Sequence, residues 1–216
     1  MNLLALTSSS SNGVLALLSQ GKIEEYPLGS RHSENLFPGL RHLLLEKRIS
    51  LNQIDGVAID LGPGSFTGIR VAVNFAKSLC YSLKLPVFCT NSFNLVSHGI
   101  IGPGVIFQNA YQNSVFLASF DSSQSISKIE LFDWGQIPKR FFSQENWYGR
   151  TRDLTADLKM KEGLNIQDRY PQVSSLIEIA LSAPPDVWTK DWKSILPLYI
   201  KASAAEELRA KSILKN

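Results

Sequence analysis

The residues with the clearest chemical potential form a glycine-rich turn between an apolar run and a helix-like segment. The turn lies within "LGPGSFTGIR" at 61–70, and its candidate positions are Gly62, Pro63, Gly64, Ser65, Thr67 and Gly68. A strand, a glycine-rich loop and a helix N-terminus together can present backbone N–H groups to a phosphate. The spacing matches neither the P-loop nor GxGxxG. The loop therefore either binds a phosphate or only provides a tight turn, for which glycine is suited.

A hydroxyl-rich segment near the N-terminus is the second candidate for phosphate binding. The segment "TSSSSNG" begins at Thr7. In an RNase H-like nucleotide enzyme the first hairpin turn binds phosphates, and the residues at that turn here are Thr7, Ser8 and Ser9. Such an enzyme carries an acid near this turn, and here the turn has none. Asp60 precedes the glycine loop, but a single acid does not make a metal site. We therefore predict a degenerate first phosphate turn.

Side chains suited to nucleophilic or metal catalysis are sparse. Ser65 does not belong to a GxSxG elbow, and we expect it to cap the following helix. His32 and His42 are ten residues apart and so lie on different helix faces, and none of His32, His42 and His98 has a second histidine at i,i+4 spacing. The sequence predicts neither a catalytic residue nor a bound metal.

Hydrophobic periodicity indicates the elements that must position these residues. Three antiparallel strands are predicted within 3–28, followed by a helix at 33–48, capped by Ser30 or Ser33, and an apolar strand at 56–61. An amphipathic helix then covers 68–84, and a strand resumes at 87–90. Strand, helix and strand favour a right-handed βαβ unit, and the whole order is that of an RNase H-like core with a mixed sheet.

The second half of the chain has a weaker pattern. Three strands are predicted, at 105–108, 114–120 and 126–132. The segment 133–170 has no clear period, and "PQVSSLIEIALSA" predicts a helix ahead of a charged helical tail. We expect an N-terminal lobe over 1–98 and a smaller C-terminal lobe with that tail over 99–216.

Composition and charge narrow the class of protein. The 216 residues are 44% hydrophobic and 19% charged, which is typical of a packed globular protein. The net charge of +3 comes without a basic stripe of interleaved aromatics, so any RNA contact is expected to be modest or assisted. The apolar run at the N-terminus is too short for a signal peptide or a membrane span, so we expect a cytoplasmic protein. Cys80 and Cys89 have no CxxC spacing and are expected to be reduced, buried thiols.

Three segments carry a family resemblance. They are "HSENLFPGLRHLL" at 32–44, "LNQIDGVAIDLGPGSFTGIRVAVNFAKSL" at 51–79 and "LPVFCTNSFNLV" at 85–96. With "GPGSFTGIR" in that context, the chain resembles the TsaB/YeaZ family, the non-catalytic paralogues of the TsaD-type carbamoyltransferases. The likeness is good up to about residue 120 and loose beyond it.

The resemblance implies an α/β actin-like ATPase (ASKHA) fold of two RNase H-like lobes with mixed sheets, the second lobe reduced. It also implies a scaffold subunit required by a TsaD-like transferase for threonylcarbamoyladenosine modification of tRNA next to the anticodon. A TsaE-like ATPase regulates such assemblies, tRNA contact is indirect or weak, and no membrane is involved.

The resemblance further implies self-association through the two predicted helices at 33–48 and 68–84. A homodimer is therefore expected when the chain is alone. The residues expected at this partner or dimer interface are His32, Leu36, Leu40, Leu43, Ile69, Val73 and Ala76.

Two departures from the family pattern bear on nucleotide chemistry. Where the family has Ile-Asp-Thr-Ser this chain has Leu6-Thr7-Ser8-Ser9, and where members have Asp-Ala-Arg-Arg-Gly-Glu-Val-Tyr it reads "NAYQNSVF" at 109–116. Both changes remove charge, so we expect no cofactor of its own, and ATP or ADP bound weakly or only in the complex. An enzyme acting alone, either an ATP-dependent transferase or a metallopeptidase-like protein, stays open as the alternative.

Overall fold

Two mixed five-stranded sheets form the framework of the protein. The computed structural model describes residues 1–11, 13–29, 31–110, 113–154 and 163–200. No helix among these residues is long and apolar enough to cross a membrane.

The first sheet contains the five strands expected from the first half of the chain. They are β1 (Leu3–Thr7), β2 (Gly13–Ser19), β3 (Lys22–Gly29), β4 (Gly56–Asp60) and β5 (Val87–Thr90). Their order is β3-β2-β1-β4-β5, with β1, β2 and β3 antiparallel and β4 and β5 parallel to β1. Every residue of β1 and β4 is buried, which explains their continuous apolar runs.

Two long helices cover one face of this sheet. α1 (His32–Lys47) and α2 (Phe66–Leu83) confirm the two predicted helices, and their apolar stripes pack on the face that carries Leu4 and Leu6. The predicted serine cap of α1 is wrong for Ser33, which lies inside the helix, while Ser30 falls outside the described residues. Arg31 occupies the N-cap without a side-chain hydrogen bond to the helix N–H groups, and its guanidinium instead pairs with Glu34 in the first turn at 3.2 Å.

The second sheet repeats the strand order of the first. Its strands are β6 (Gly104–Asn109), β7 (Ser114–Phe120), β8 (Glu130–Asp133), β9 (Asn146–Gly149) and β10 (Asn165–Asp168). The order β8-β7-β6-β9-β10, with β9 and β10 parallel to β6, matches β3-β2-β1-β4-β5 strand for strand. Two RNase H-like lobes follow from this repetition. The second is the reduced one, since residues 134–143 form short 3-10 turns where the first lobe has α1.

The C-terminal part of the chain returns to the first sheet. The predicted helix is confirmed as α4 (Val173–Ser182), and it packs on the sheet face opposite α1 and α2, against Leu3 and Ala5. Thr189 then pairs with Val87, and Ile195 enters the first core.

The expected boundary between the two lobes at residue 98 does not match the way the helices pack on the two sheets. A sheet that is apolar on both faces needs cover on both, and α4 covers the second face. Conversely, α3 (Ser92–Ser97) buries Phe93 and Val96 against the second sheet. The expected charged tail lies outside the described residues.

Candidate functional site at the junction of the two sheets

The glycine loop leaves β4 and enters α2 within a few residues. Ser65 is the N-cap of α2, and its Oγ accepts a hydrogen bond from the Gly68 N–H at 3.2 Å, which confirms the predicted cap. The Gly62 N–H donates to Asp60 Oδ1 at 2.9 Å. Two of the loop's N–H groups thus bond to side chains of the loop itself and of the preceding strand.

The serine turn packs directly on this loop. The Ser65 N–H donates to the Ser9 carbonyl at 2.7 Å, and Ser8 Oγ donates to the Gly68 carbonyl at 2.6 Å. A Cβ at Gly64 would lie 2.0 Å from the Ser9 oxygen, and one at Gly68 would lie 2.2 Å from the Ser8 oxygen. The two segments singled out for phosphate binding therefore meet, but in this arrangement they bind each other. Glycine is required here by the close approach of two backbones.

Thr7 differs from the two serines that follow it. Its side chain is buried, and Thr7 Oγ1 has no hydrogen-bond partner among the described residues. Ser8 and Ser9 are equally buried but bond to the glycine loop and to Asp60. Ser8 and Ser9 thus hold the turn in place. Thr7, at the position where the family pattern has an aspartate, does not.

Asp60 is a fully buried carboxyl beneath the contact between the serine turn and the glycine loop, which is called the joint below. It accepts a hydrogen bond from Ser9 Oγ in addition to the one from Gly62 N–H. Burial raises the pKa of Asp60 to about 6 from 3.8, and both hydrogen bonds oppose that rise. This acid therefore ties the serine turn to the glycine loop.

Gln108 connects the joint to the second sheet. Its Nε2 donates to the Pro63 carbonyl at 2.9 Å, and Ser92 Oγ donates to the same carbonyl at 2.8 Å. The Ser92 hydroxyl also lies 3.1 Å from Gln108 Oε1. Polar side chains from β6 and from α3 thus converge on the middle of the glycine loop.

A cavity of about 230 Å³ opens beside this joint. Its lining residues include the serine turn at 9–11, Ser65 and Gln108, together with three arginines, Arg150, Arg152 and Arg169. This cavity is called the arginine pocket below. Arg150 follows β9 and Arg169 follows β10. Because parallel strands end at the same sheet edge, both arginines reach the same cleft.

Sequence reasoning missed these arginines. They lie in or next to the segment 133–170, whose short strands leave no readable period. Only the parallel pairing of β9 with β6 and of β10 with β9 brings them to the junction. The predicted loss of charge from this cleft is therefore offset by residues from elsewhere in the chain.

The apolar residues expected at an interface lie inside the first lobe. Leu36, Leu40, Leu43, Ile69, Val73 and Ala76 are each no more than 6% exposed. His32 is half-buried and packs against Gly13 and Gly68. The exposed apolar side chains of the same two helices include Phe37, Leu45 and Tyr81. An interface on α1 and α2 stays a prediction, and these outer side chains are the ones that could form it.

Metal-ligating side chains do not cluster in the described part of the chain. No group of three or more His, Cys, Asp or Glu residues there could hold a metal ion. His98 lies 2.9 Å from Glu178 across α3 and α4, at Nε2 and Oε2. Its role in the described structure is a hydrogen-bond contact between two helices.

Comparison with known proteins gives related sequences. The family model for TsaD, tRNA N6-adenosine threonylcarbamoyltransferase, matches residues 27–102. The tRNA threonylcarbamoyladenosine biosynthesis protein TsaB of Haemophilus influenzae is 38% identical over 145 residues, which are 63% of this chain and 61% of that protein. The protein of the same name from Bacillus subtilis is 29% identical over 127 residues, 52% of this chain and 56% of that one. The chain thus matches less than two thirds of the length of these relatives.

Solved structures match the fold more completely. A Pseudomonas aeruginosa protein described as similar to peptidase YEAZ superposes with a TM-score of 0.77 at 20% identity, covering 93% of this chain and 99% of that one. The structure described as YeaZ from the same organism gives 0.76 at 20% identity, covering 92% and 99%. This likeness confirms the α/β actin-like fold with two RNase H-like lobes.

Proposed function

We propose that this chain is a member of the TsaB/YeaZ family and a non-catalytic partner subunit of a TsaD-like transferase. In this role it is required for threonylcarbamoyladenosine modification of tRNA next to the anticodon. The observation that carries the proposal is the 38% identity over 145 residues to a protein named for that pathway.

The chemistry of the joint supports a subunit without its own reaction. Asp60 is fully buried and bonds to Ser9 and Gly62, and the Ser65 N–H is bonded to the serine turn. The glycine loop therefore acts as the rigid connection that aims α2. We propose that the chain needs no cofactor of its own and that ATP or ADP binds weakly or only in the complex.

The rival interpretation is an enzyme acting alone. A metallopeptidase-like protein needs a metal-ligand cluster, and the residues that the structure describes contain none. An ATP-dependent transferase needs an acid at the first turn, where this chain has Thr7. The arrangement of these residues favours the partner subunit.

The surface proposed for the partner is the seam between α1 and α2. Phe37 on α1 is 69% exposed and stands edge-to-face on Phe75 of α2, with ring centroids 5.7 Å apart. Leu45, further along α1, is 66% exposed. Exposed aromatic side chains of this kind are typical anchors of protein interfaces. We propose that the seam binds the TsaD-like transferase, and a second copy of the chain when it is alone.

The remaining partners follow from the same role. A TsaE-like ATPase would act on the assembled complex, and tRNA would be contacted through the transferase, or only weakly by this chain. The complex would work in the cytoplasm.

Reconstitution tests the function. The cognate TsaD-like transferase, its other pathway proteins and unmodified tRNA are assayed with and without this chain. We expect modification to fall to background when the chain is omitted. An unchanged rate would contradict the proposal.

A pair of variants tests the seam. Phe37→Ser should weaken the affinity for the transferase by at least about tenfold, because an interface anchor contributes more than about 1.4 kcal/mol. Ile101→Ser is the matched control, since Ile101 is 99% exposed and lies outside both helices. Equal affinities of the two variants in calorimetric titration would place the interface elsewhere.

A further inference from the structure

We propose that one face of α2, together with the chain segment beside it at 192–199, binds single-stranded RNA. This segment is called the C-terminal strap below, and the combined surface is called the aromatic–basic face. The inference deepens the proposed function, on which the choice of RNA over DNA rests. The contacts that carry it belong to this chain alone and do not involve a transferase.

The C-terminal strap runs antiparallel to α2. Trp192 contacts Tyr81 near the end of the helix, with ring centroids 5.6 Å apart. Tyr199 contacts Phe66 in the first turn, with ring centroids 5.3 Å apart. An extended chain between Trp192 and Tyr199 spans at most about 23–25 Å, and a helix between Phe66 and Tyr81 rises about 22 Å. The two elements therefore match in length, with a pair of aromatic rings at each end.

Both pairs of rings are open to solvent. Tyr81 is 61% exposed, and Phe66, Trp192 and Tyr199 are between 36% and 45% exposed. Leu196, which lies in the strap between the two pairs, is also 61% exposed. Every nucleobase has a flat π-face that can stack on an exposed aromatic ring, so such rings bind single strands with little sequence preference.

An arginine is held between the two rings at the start of α2. The guanidinium carbon of Arg70 lies 3.8 Å from the centroid of the Phe66 ring and 5.6 Å from that of the Tyr199 ring. Arg70 Nε donates to the Tyr199 hydroxyl at 2.7 Å. This bond uses a single N–H of the guanidinium, so its other donors can bond to phosphate oxygens.

Two lysines accompany the rings at the other end of the face. Lys84 Nζ lies 4.9 Å from the centroid of the Tyr81 ring, and Lys193 Nζ lies 5.7 Å from that of the Trp192 ring. The carboxylate of Asp191 is next in the chain, and its Oδ1 accepts a hydrogen bond from the Lys193 N–H at 3.0 Å. Among the described residues, neither lysine forms an ion pair with it.

The charge of the face favours a polyanion. The sequence from 66 to 84 contains Arg70, Lys77 and Lys84 and no acidic residue, and the strap adds Lys193 without one. Cations that meet phosphates and rings that stack bases are together typical of single-strand binding surfaces. The rings at both ends favour RNA over an acidic peptide, which needs only the charge. No basic stripe is visible in the sequence, because α2 supplies one part of it and the strap the other.

The distance between the two pairs of rings defines the length of RNA. About 22 Å along α2 corresponds to about six stacked nucleotides at about 3.4 Å each. A loop or an unpaired end of that length can place bases on both pairs of rings. A duplex keeps its bases stacked inside the helix, so it cannot use the rings in this way.

Fluorescence anisotropy of a labelled single-stranded RNA octamer of mixed sequence, titrated with the isolated full chain, tests the proposal. The logarithm of the binding constant should fall with that of the salt concentration with a slope of about −2 to −3, since four cations face a single strand. An RNA duplex of the same length should bind at least about tenfold more weakly, because its bases cannot stack on the rings.

Two variants separate stacking from charge. Tyr81→Ala removes an exposed ring and should weaken binding at least about fivefold without changing the salt slope. Arg70→Gln/Lys84→Gln should weaken binding and make the slope shallower by about 1.4. Arg41→Gln, which changes an exposed arginine of α1, is the control and should bind as the parent does. Circular dichroism of each variant confirms that it is folded.

The outcomes distinguish this face from the proposed function. Binding of the octamer with the expected variant effects supports the proposal even if omission of the chain leaves tRNA modification unchanged, since that result contradicts only the proposed function. The proposal is overturned if the octamer does not bind at low salt, or if both variants bind it as the parent does. It is also overturned if a polyglutamate peptide of equal charge binds as tightly as the octamer, which would indicate an acidic protein partner.

Discussion

The glycine loop and the arginine pocket lie on two sides of the same serine turn, yet they use it in opposite ways. The loop has the residue pattern of an anion-binding turn, but protein atoms occupy the space around Gly64 and Gly68. The pocket has no recognisable motif, but it is an open cavity with three positive charges. In the loop, the glycines are explained by the close approach of two backbone segments. In the pocket, the positive charge is explained by the strands whose ends bring the arginines there.

The largest loss of stability is expected when a side chain is added inside the glycine loop. Gly68→Ala should lower the free energy of unfolding by about 3 kcal/mol, since the new Cβ would meet the Ser8 carbonyl oxygen at 2.2 Å. Urea unfolding measures this loss. Gly135→Ala is the control, because nothing lies within 4 Å of its Cβ, and it should stay within about 0.5 kcal/mol of the parent. A stable Gly68→Ala protein would mean that the loop is open, and the contrast with the pocket would disappear.

The second expected effect is on the pH dependence of stability, through the carboxyl of Asp60 beneath the glycine loop. The folded state raises the pKa of Asp60 from 3.8 to about 6, so it holds this proton more tightly than the unfolded state. The stabilisation is complete below pH 3.8 and is lost as the pH rises through about 6, an effect of about 3 kcal/mol. Asp60→Asn should remove this dependence from urea unfolding measured between pH 4 and 7.5.

A second acid provides the control for that experiment. Asp121 is exposed, and hydrogen bonds from Ser123 and Ser125 lower its pKa below the usual value. Asp121→Asn should therefore leave the slope between pH 4 and 7.5 unchanged. If both variants behaved like the parent, Asp60 would not be the buried acid that joins the two turns.

The smallest effect on stability is expected in the pocket. Arg152→Gln should change the free energy of unfolding by less than about 0.5 kcal/mol, because the side chain is exposed and its contact with Ser11 is at the surface. Thermal unfolding at neutral pH measures this. A loss of 2 kcal/mol or more would show that the arginines hold the lobes together, and the pocket would then be as structural as the loop.

The first lobe was largely predictable, and the second only in part. The helices of the first lobe began within one or two residues of their predicted starts, because an apolar stripe of period 3.6 extends over 16 to 18 residues. β9 and β10 have four residues each and no alternation of polar and apolar side chains, so nothing local identified them. The Ser65 cap was predicted correctly, whereas Arg31 at the N-cap of α1 makes no side-chain hydrogen bond to the helix N–H groups, so no capping pattern identifies it.

The sequence by itself determined the features that a few neighbouring residues control: the helices and strands of the first lobe, the Ser65 cap and the need for glycine in the loop. Only the tertiary structure decided that α4 covers the first sheet, that Asp60 is buried, and that three arginines meet the serine turn. The physical reason is distance along the chain. Burial and charge arise between residues 51 positions apart for Ser9 and Asp60, and 141 for Ser11 and Arg152, whereas caps and turns depend on residues within one helical turn.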